Sequence, residues 1–415
     1  MVTQTADPSG EHELPEEIPS EPHAPLQIGR FQILRELGKG GMGIVYAARM
    51  QGAHGVSRLV ALKTLNRLTS PSDRAALLAE AKLTAKLHHR NVVATLELGE
   101  EDRRPYVVME LIDGVSLAQL LARLRTNREQ LGPELAAWIV MQVALGLHAA
   151  HELRSEEGEP LGLVHRDVTP QNVLVSTSGE VKLADFGIAK YAGRGEPTAT
   201  GLIKGKFAYM APEQGAGLRL DRRTDVFALG VVLWEALVGQ RLFAADTPAQ
   251  TLLRINTVRP AEPHLHRAEV GPALSAVALR CLAREPAERF ATAAELAEAL
   301  RSALRERATH VDEADLGALV GRFFGPERRR SMADLEERAE ATTAHEPTDT
   351  TVVEDTRPPQ PARRGPRLVG VVVVAAAVLV TAAVAFVAMT AGGPASKGQP
   401  SSPAAPMPPS SWSTR

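Results

Sequence analysis

Cysteine, aromatic residues and net charge are all scarce in this chain, and the shortages of cysteine and of net charge limit the class of protein. Among 415 residues there is a single cysteine, Cys281, so an intrachain disulfide framework is excluded and a reducing compartment is indicated. The formal net charge of −2 gives no general attraction for nucleic acid. Aromatic residues make up 4% of the chain, whereas alanine and arginine are frequent, a bias typical of GC-rich genomes.

Long hydrophobic runs are also rare, and the one exception predicts a membrane span. Residues 368–390 form an uncharged run of about 23 residues, which is long enough to cross a bilayer core as a helix. A buried core helix of this length would normally show a polar side, and this run shows none. Arg363, Arg364 and Arg367 directly precede it, so the positive-inside rule places its N-terminal side in the cytoplasm.

Composition divides the rest of the chain into a folded body and three polar segments. Residues 1–27 are acidic and carry prolines and serines instead of an apolar leader, so we predict disorder there. Residues 306–367 hold charge clusters, threonines and prolines, which predicts a largely disordered linker with at most a short helix at 332–341. Residues 391–415 are a Pro/Ser-rich tail beyond the span. The folded body is residues 28–305.

Two turns between short apolar runs carry candidate catalytic groups. Asp167 and Asn172 lie in the first turn, and Asp185 lies in the second. A carboxylate held in this way can orient a hydroxyl, and an amide oxygen can bind a hard cation such as Mg²⁺. A His-Arg-Asp tripeptide alone could be a charged surface turn. The second carboxylate, in a similar turn downstream, favours a catalytic site.

A glycine-rich turn lies upstream, between two predicted strands. Gly38, Gly40 and Gly43 would let backbone N–H groups approach a phosphate closely. Dinucleotide-binding folds use a similar pattern, but there the glycines lead from a strand into a helix. Here a β-branched and aromatic strand follows them. The turn therefore predicts a hairpin that covers a nucleotide.

Lys63 ends a third predicted strand whose neighbours are apolar. A buried ammonium needs an anionic partner. Residues 72–87 have helical spacing, and Glu80 adjoins the apolar side of that predicted helix. We expect Glu80 to be the partner of Lys63, although an ordinary surface glutamate is the alternative interpretation.

In this order and spacing, the motifs resemble those of eukaryotic-type (Hanks-type) Ser/Thr protein kinases, over about residues 31–305. The resemblance implies an α+β, bilobal protein-kinase fold, with a small β-rich N-lobe and a larger helical C-lobe, followed here by one transmembrane helix. It implies ATP and Mg²⁺ as cofactors, with Mn²⁺ as an alternative ion, and Ser/Thr hydroxyls of proteins as acceptors. The layout is similar to that of bacterial membrane-anchored kinases, with a single pass through the plasma membrane and a cytoplasmic kinase domain, but it lacks their usual large external sensor.

The resemblance also implies a role for each matching residue. Asp167 would be the catalytic base, Lys63 held by Glu80 would bind the α- and β-phosphates, and Asn172 and Asp185 would bind the metal ion. The positions that would surround the nucleotide are Leu37, Gly38, Gly40, Gly43, Val45, Ala61, Lys63, Met109, Glu110, Leu111, Leu174 and Asp185.

Other matching positions would support or regulate the site. Asp225 begins an apolar helix, and its carboxylate could accept N–H bonds from the loop around Asp167. Glu213 and Arg289 match a buried structural ion pair. Thr198 and Thr200 stand where activation-loop phosphorylation occurs in kinases that, like this chain, have an arginine before the catalytic aspartate.

Two positions depart from the family pattern together. The family usually has lysine where this chain has Thr169, and threonine where it has Lys206. Our hypothesis is that the Lys206 ammonium occupies the same space from the opposite loop, and that Thr169 supplies the hydroxyl. In the alternative, Lys206 points to solvent and the site has lost one cation.

The sequence alone leaves two other functions open. A pseudokinase or scaffold would bind nucleotide or partners without turnover, and the departure at Thr169 is its support. A small-molecule phosphotransferase is disfavoured by the long activation loop and by the Ala-Pro-Glu segment that ends at Glu213. Control could come from homodimerisation through the span, from a partner protein or from contacts with the linker.

Overall fold

The first part of the chain forms an antiparallel sheet, whose strands bury apolar side chains and are bounded by glycine or polar turns. The structure is a computed structural model, and it describes residues 27–40, 43–52, 56–65, 81–102, 104–186 and 206–343. The sheet order is β1-β2-β3-β4-β6-β5. The strands are β1 (Gln27–Ile28), β2 (Phe31–Gly40), β3 (Gly43–Gln51), β4 (Ser57–Leu65), β5 (Thr95–Glu101) and β6 (Arg104–Glu110).

The hairpin of β2 and β3 requires glycine at one of its three predicted glycine positions. Gly43 has a φ of +147°, and a Cβ there would lie 1.8 Å from the backbone oxygen of Thr64 on β4. A Cβ on Gly38 or Gly40 would meet nothing within 4 Å. Packing within the protein therefore explains Gly43, whereas the other two glycines face open space.

The larger lobe is helical and is built around two apolar helices. Pro133–His151 and Arg223–Val238 are apolar on nearly every side, so both are buried in the main core. The second of them ends at Gly239, which adopts the left-handed conformation and donates its N–H to the Glu235 carbonyl. The helices are α1 (Leu117–Thr126), α2 (Pro133–His151), α3 (Pro212–Gly215), α4 (Arg223–Val238), α5 (Pro248–Thr257), α6 (Pro263–His266), α7 (Gly271–Cys281), α8 (Ala293–Glu306) and α9 (Glu313–Thr343).

A three-stranded sheet, with strand order β7-β8-β9, positions both catalytic turns. It consists of β7 (Gly114–Ser116), β8 (Val173–Ser176) and β9 (Val181–Leu183). The turn that carries Asp167 leads into β8, and Asp185 follows β9 by two residues. The small β-rich lobe and the larger helical lobe expected from the sequence are thereby confirmed.

Within the described ranges, α2 is the one helix long and apolar enough to cross a membrane, but two thirds of it is buried in the large lobe. We assign it to the core of the fold. The predicted span at 368–390 and the predicted tail at 391–415 lie outside the residues that the structure describes, as does almost all of the predicted N-terminal segment.

The expectation of a largely disordered linker over 306–367 is wrong for Glu313–Thr343, which form α9. The predicted short helix at 332–341 is the last part of this much longer helix. The reason is tertiary packing: Leu316, Val320 and Phe324 are buried in the core of the large lobe, and Leu335 packs on the small lobe.

Candidate active site

The loop that carries Asp167 is held in a strained shape by the buried carboxylate of Asp225. Arg166 has a φ of +67°, which is costly for a residue with a side chain. Asp225 is fully buried and accepts the backbone N–H groups of His165 at 2.7 Å and of Arg166 at 2.6 Å. These two charge-assisted hydrogen bonds stabilise the strained turn.

Asp225 remains ionised in spite of its burial. Burial alone would raise its pKa, but the hydrogen bond from His151 at 2.8 Å, the nearby His165 ring and the Arg166 N–H group outweigh that effect and hold the pKa below its ordinary value. The anchor of the catalytic loop is therefore a carboxylate and not a carboxylic acid at neutral pH.

Asp167 is contacted by an amide from its own loop and by an ammonium from a distant segment. The Asn172 Nδ2 group donates to the Asp167 backbone oxygen at 2.8 Å and to its Oδ2 at 3.0 Å. The Lys206 Nζ group lies 2.6 Å from the same Oδ2. The structure thus brings Lys206 to Asp167, and the ammonium does not point away from the site.

The Thr169 hydroxyl behaves differently from the hypothesis. Thr169 is 1% exposed, and its Oγ1 makes no hydrogen bond with any residue in the described part of the chain. The structure therefore places the Lys206 ammonium next to Asp167, as the hypothesis requires. It does not show a hydrogen bond between the Thr169 hydroxyl and the Asp167 carboxylate. A buried hydroxyl without a partner is costly.

The second turn connects to the small lobe through Lys63. The Lys63 side chain is 4% exposed, and its Nζ lies 2.6 Å from the Asp185 Oδ1. Burial alone would raise the pKa of Asp185, but the Lys63 ammonium, helped by Lys206, outweighs it and holds that pKa below its usual range. Glu80, the expected partner of Lys63, lies outside the residues that the structure describes.

Asp185 has a φ of +61°, so the second turn is strained as well. The ring of the next residue, Phe186, is buried and packs against the His165 ring with centroids 4.5 Å apart. His165 also directs its Nε2 to the Ala184 carbonyl at 3.1 Å. These contacts fix the two turns against each other.

One cavity of about 710 Å³ lies next to these groups. Its volume is in the range of pockets that hold a small-molecule ligand. Of the positions expected to surround a nucleotide, Gly40, Gly43 and Lys63 are not part of its lining. The expected residues that do line it are Leu37, Gly38, Val45, Ala61, Met109, Glu110, Leu111, Leu174, Asp185 and the metal candidate Asn172.

Sequence reasoning missed several lining residues. Val93 and Ala184 are small apolar side chains with no motif signal. A second group lies between β6 and the end of α1 and in the Asp167 loop, and consists of Ile112, Gly114, Val115, Ser116, Gln119, Ala122, Arg123, Thr126 and Gln171. A third group belongs to α9 and consists of Phe324, Glu327, Arg328, Ser331 and Leu335. The helical spacing of the buried apolar residues on α9 is the signal that could have found this segment.

The predicted structural ion pair between Glu213 and Arg289 is present outside the cavity. The Arg289 guanidinium, which is buried, binds both carboxylate oxygens of Glu213 at 2.7 and 2.8 Å. Burial alone would raise the pKa of Glu213, but Arg289 outweighs it and keeps the pKa below its usual range. Thr198 and Thr200 lie outside the residues that the structure describes.

Comparison with known proteins identifies the family. The protein kinase domain model matches residues 31–300. The chain is 37% identical over 302 residues to "Tyrosine-protein kinase MasK" of Myxococcus xanthus, covering 72% of this chain and 47% of that protein. It is 38% identical over 293 residues to "Serine/threonine-protein kinase PknD" of Mycobacterium tuberculosis, covering 70% and 42%. The chain thus spans less than half the length of these curated relatives.

Solved structures show the same fold. The crystal structure of the M. tuberculosis PknI kinase domain matches with a TM-score of 0.53 and 28% sequence identity, covering 67% of this chain and 97% of that one. Sequence, family domain and fold agree. The chain therefore belongs to the protein kinase family, among the Hanks-type Ser/Thr kinases of bacteria.

Proposed function

We propose that this chain is an active protein kinase that transfers the γ-phosphoryl group of ATP to Ser/Thr hydroxyls of proteins. The observation that carries the proposal is the meeting of Lys63, Asp167, Asn172 and Asp185 at the edge of one nucleotide-sized cavity. Phosphoryl transfer depends mainly on positioning and charge stabilisation, and these four groups supply both.

In this proposal Asp167 orients the acceptor hydroxyl and takes its proton. Asn172 holds the Asp167 carboxylate through its amide nitrogen, and the two strained turns keep both groups in place before substrate binds. Lys63 would exchange its contact with Asp185 for the phosphates of ATP. Gly38 and Gly40, which face open space, leave room for those phosphates against the backbone.

The residues fit a Mg²⁺ ion better than a softer metal. Asp185 offers carboxylate oxygens, and Asn172 offers its amide oxygen because its nitrogen is bonded to Asp167. Among the described residues no group of three or more His, Cys, Asp or Glu side chains could hold a metal ion by itself. Two oxygen ligands from the protein suit an ion that is bound together with phosphates, where it would neutralise charge on the transferred group.

We infer that Lys206 supplies the cation that the catalytic loop lacks at Thr169. Its ammonium already lies 2.6 Å from the Asp167 Oδ2. Its positive charge also helps to lower the pKa of Asp185. From that position it can stabilise negative charge that develops during transfer. The Thr169 hydroxyl, which has no partner among the described residues, would find one in the substrate complex.

Activation by phosphorylation is the regulatory part of the proposal. The Arg166 Nε atom is buried and has no hydrogen-bond partner among the described residues. A guanidinium with an unused donor, beside Asp167 in the same loop, is suited to a phosphate. We propose that phosphorylated Thr198 or Thr200 supplies it, which mass spectrometry of active protein would test.

We also propose that the chain is anchored in the bacterial plasma membrane by residues 368–390, with the kinase domain in the cytoplasm. The uncharged run and the three arginines before it support this topology. A span of this kind would permit homodimerisation. Membrane fractionation of the full chain and of a variant that lacks 368–390 tests the anchor, because only the full chain should sediment with membranes.

A radiolabelled ATP assay on wild type and Asp167→Asn tests the central proposal. Labelled protein with wild type and almost none with the variant would support it. Binding of ATP by wild type without labelling would favour a pseudokinase instead. Phosphoamino acid analysis of the product also tests a second candidate, transfer to tyrosine, which is the activity named for the relative MasK. Phosphoserine or phosphothreonine is the expected product.

A further inference from the structure

Helix α9 lies beyond the family domain, which ends at residue 300, yet it lines the nucleotide cavity. We propose that α9 is a functional wall of the nucleotide site that clamps the two lobes together and raises the affinity for ATP. This inference rests on the proposed function. It adds to that function a binding segment that the family domain does not contain.

The first part of α9 is built into the large lobe. Leu316 and Val320 are fully buried in its core. The backbones meet closely through two glycines: a Cβ on Gly179 would lie 1.8 Å from the Glu313 oxygen, and a Cβ on Gly317 would lie 3.0 Å from the Ser178 backbone. Contacts of this closeness fix the position of the helix against the β8–β9 turn.

The middle of α9 is bonded to α1 and to Asp113, which lies between β6 and β7 in the segment that joins the two lobes. The Arg123 guanidinium donates to both Glu327 carboxylate oxygens at 3.1 Å and lies over the Phe324 ring, 4.6 Å from its centre. Arg328 donates to the Asp113 Oδ1 at 2.9 Å, next to β7. Phe324, Glu327 and Arg328 are also lining residues of the cavity.

The last part of α9 packs on the small lobe. Leu335 is 1% exposed and forms one cluster with Leu34 and Ala47, which belong to β2 and β3. Arg35 on β2 donates to the Ser331 hydroxyl at 2.6 Å. The helix therefore contacts the large lobe, the connection and the small lobe in turn, as a clamp would.

The helix lines the cavity without filling it, since about 710 Å³ remains open. A clamp in this position favours binding, because Lys63 comes from the small lobe and Asp185 from the large lobe, and both must face the same phosphates. If release of α9 reduced the binding-competent arrangement to about one tenth of the molecules, the apparent Kd would rise about tenfold.

The test measures nucleotide binding apart from turnover. Full-length protein carrying Asp167→Asn is titrated with an ATP analogue and Mg²⁺ by calorimetry, alone and combined with Leu335→Asp or Arg328→Ala. Leu335→Asp places a charge in the contact with the small lobe. Arg328→Ala removes the contact with Asp113 without opening the core. Glu337→Gln, at an exposed position of the same helix, is the matched control.

We expect Leu335→Asp to raise the Kd about tenfold, Arg328→Ala to raise it severalfold and Glu337→Gln to leave it unchanged. Thermal unfolding shows whether Leu335→Asp still folds, and Arg328→Ala decides the question if it does not. Unchanged or tighter binding in the folded variants would overturn the inference, and tighter binding would make α9 an inhibitory plug. Failure of the parent protein to bind the analogue would instead count against the proposed function.

Discussion

Replacement of Lys206 by alanine should slow phosphoryl transfer far more than it weakens nucleotide binding. The substitution removes the ammonium that lies 2.6 Å from the Asp167 Oδ2. Loss of one oriented group that stabilises charge in a transition state costs about 100- to 1000-fold in kcat. Because the Lys206 side chain is 40% exposed, solvent screens part of its field. We therefore expect about 100-fold, or ~3 kcal/mol.

The assay is steady-state phosphorylation of a protein or peptide substrate over a range of ATP concentrations. The KM for ATP should change little, since in the proposed mechanism Lys63 would bind the phosphates and Asp185 would bind the metal ion. Lys86→Ala is the matched control, because Lys86 forms an exposed ion pair with Glu156 at 2.9 Å and its removal should leave kcat unchanged.

A rescue variant distinguishes a catalytic cation from a merely structural lysine. Lys206→Thr combined with Thr169→Lys restores the arrangement that is usual in the family. If both lysines serve the same space, this double variant should recover most of the kcat that Lys206→Ala loses. A kcat for Lys206→Ala close to wild type would refute the reasoning, whatever the double variant does.

Three further outcomes follow from buried groups. Arg289→Ala leaves the Glu213 carboxylate buried without its partner, so the free energy of unfolding in urea should fall by about 3–5 kcal/mol. The pKa of Asp225 is lowered in the folded state, so its stabilisation is present above its unfolded-state pKa of about 4 and is lost as pH falls through the lower folded-state value. Acid titration of Asp225→Asn should show a shallower loss of stability in that range. Burial raises the pKa of the Cys281 thiol, so a thiol reagent should label Cys281 only after unfolding.

The catalytic turns could be placed from the sequence because their signals are local. Asp167, Asn172 and Asp185 each lie in a polar turn between apolar runs. Because those runs are buried as strands or strand-like segments, the turns lie at one edge of the three-stranded sheet. The role of Asp225 could be predicted for a similar reason, since an acidic residue at the start of a fully apolar helix must find buried hydrogen-bond donors. The structure brings these groups together.

The partner of Lys63 shows where such reasoning stops. The sequence indicates that a buried ammonium needs an anion, but several carboxylates satisfy that requirement. Among the described residues the structure pairs Lys63 with Asp185, and the expected contact with Glu80 stays a prediction. Which carboxylate faces a lysine depends on the relative position of two lobes, and no local pattern encodes that position.

The prediction failed most clearly at α9, and the cause is physical. Its residues are mostly charged or small, and Pro326 lies inside the helix, where a proline usually marks an end. The charge clusters and the proline therefore indicate a polar linker, although Glu, Arg and Ala themselves favour helix. Its stability comes from the buried side chains of Leu316, Val320, Phe324 and Leu335. The four-residue spacing of the first three is a helical signal, but the sequence does not show which surfaces they pack against.

Lys206 and helix α9 should affect different kinetic parameters. Lys206 is the first described residue after the segment with the proposed phosphosites, and it reaches Asp167, where the acceptor hydroxyl would be oriented. Phosphorylation of that segment should thus change kcat more than nucleotide affinity. Helix α9 forms part of the cavity wall and contacts both lobes, so its release should change nucleotide affinity more than kcat. Measurement of kcat and of nucleotide Kd on phosphorylated and dephosphorylated protein, with and without Arg328→Ala, would show two independent effects. If both perturbations moved the same parameter, one of the two assignments would be wrong.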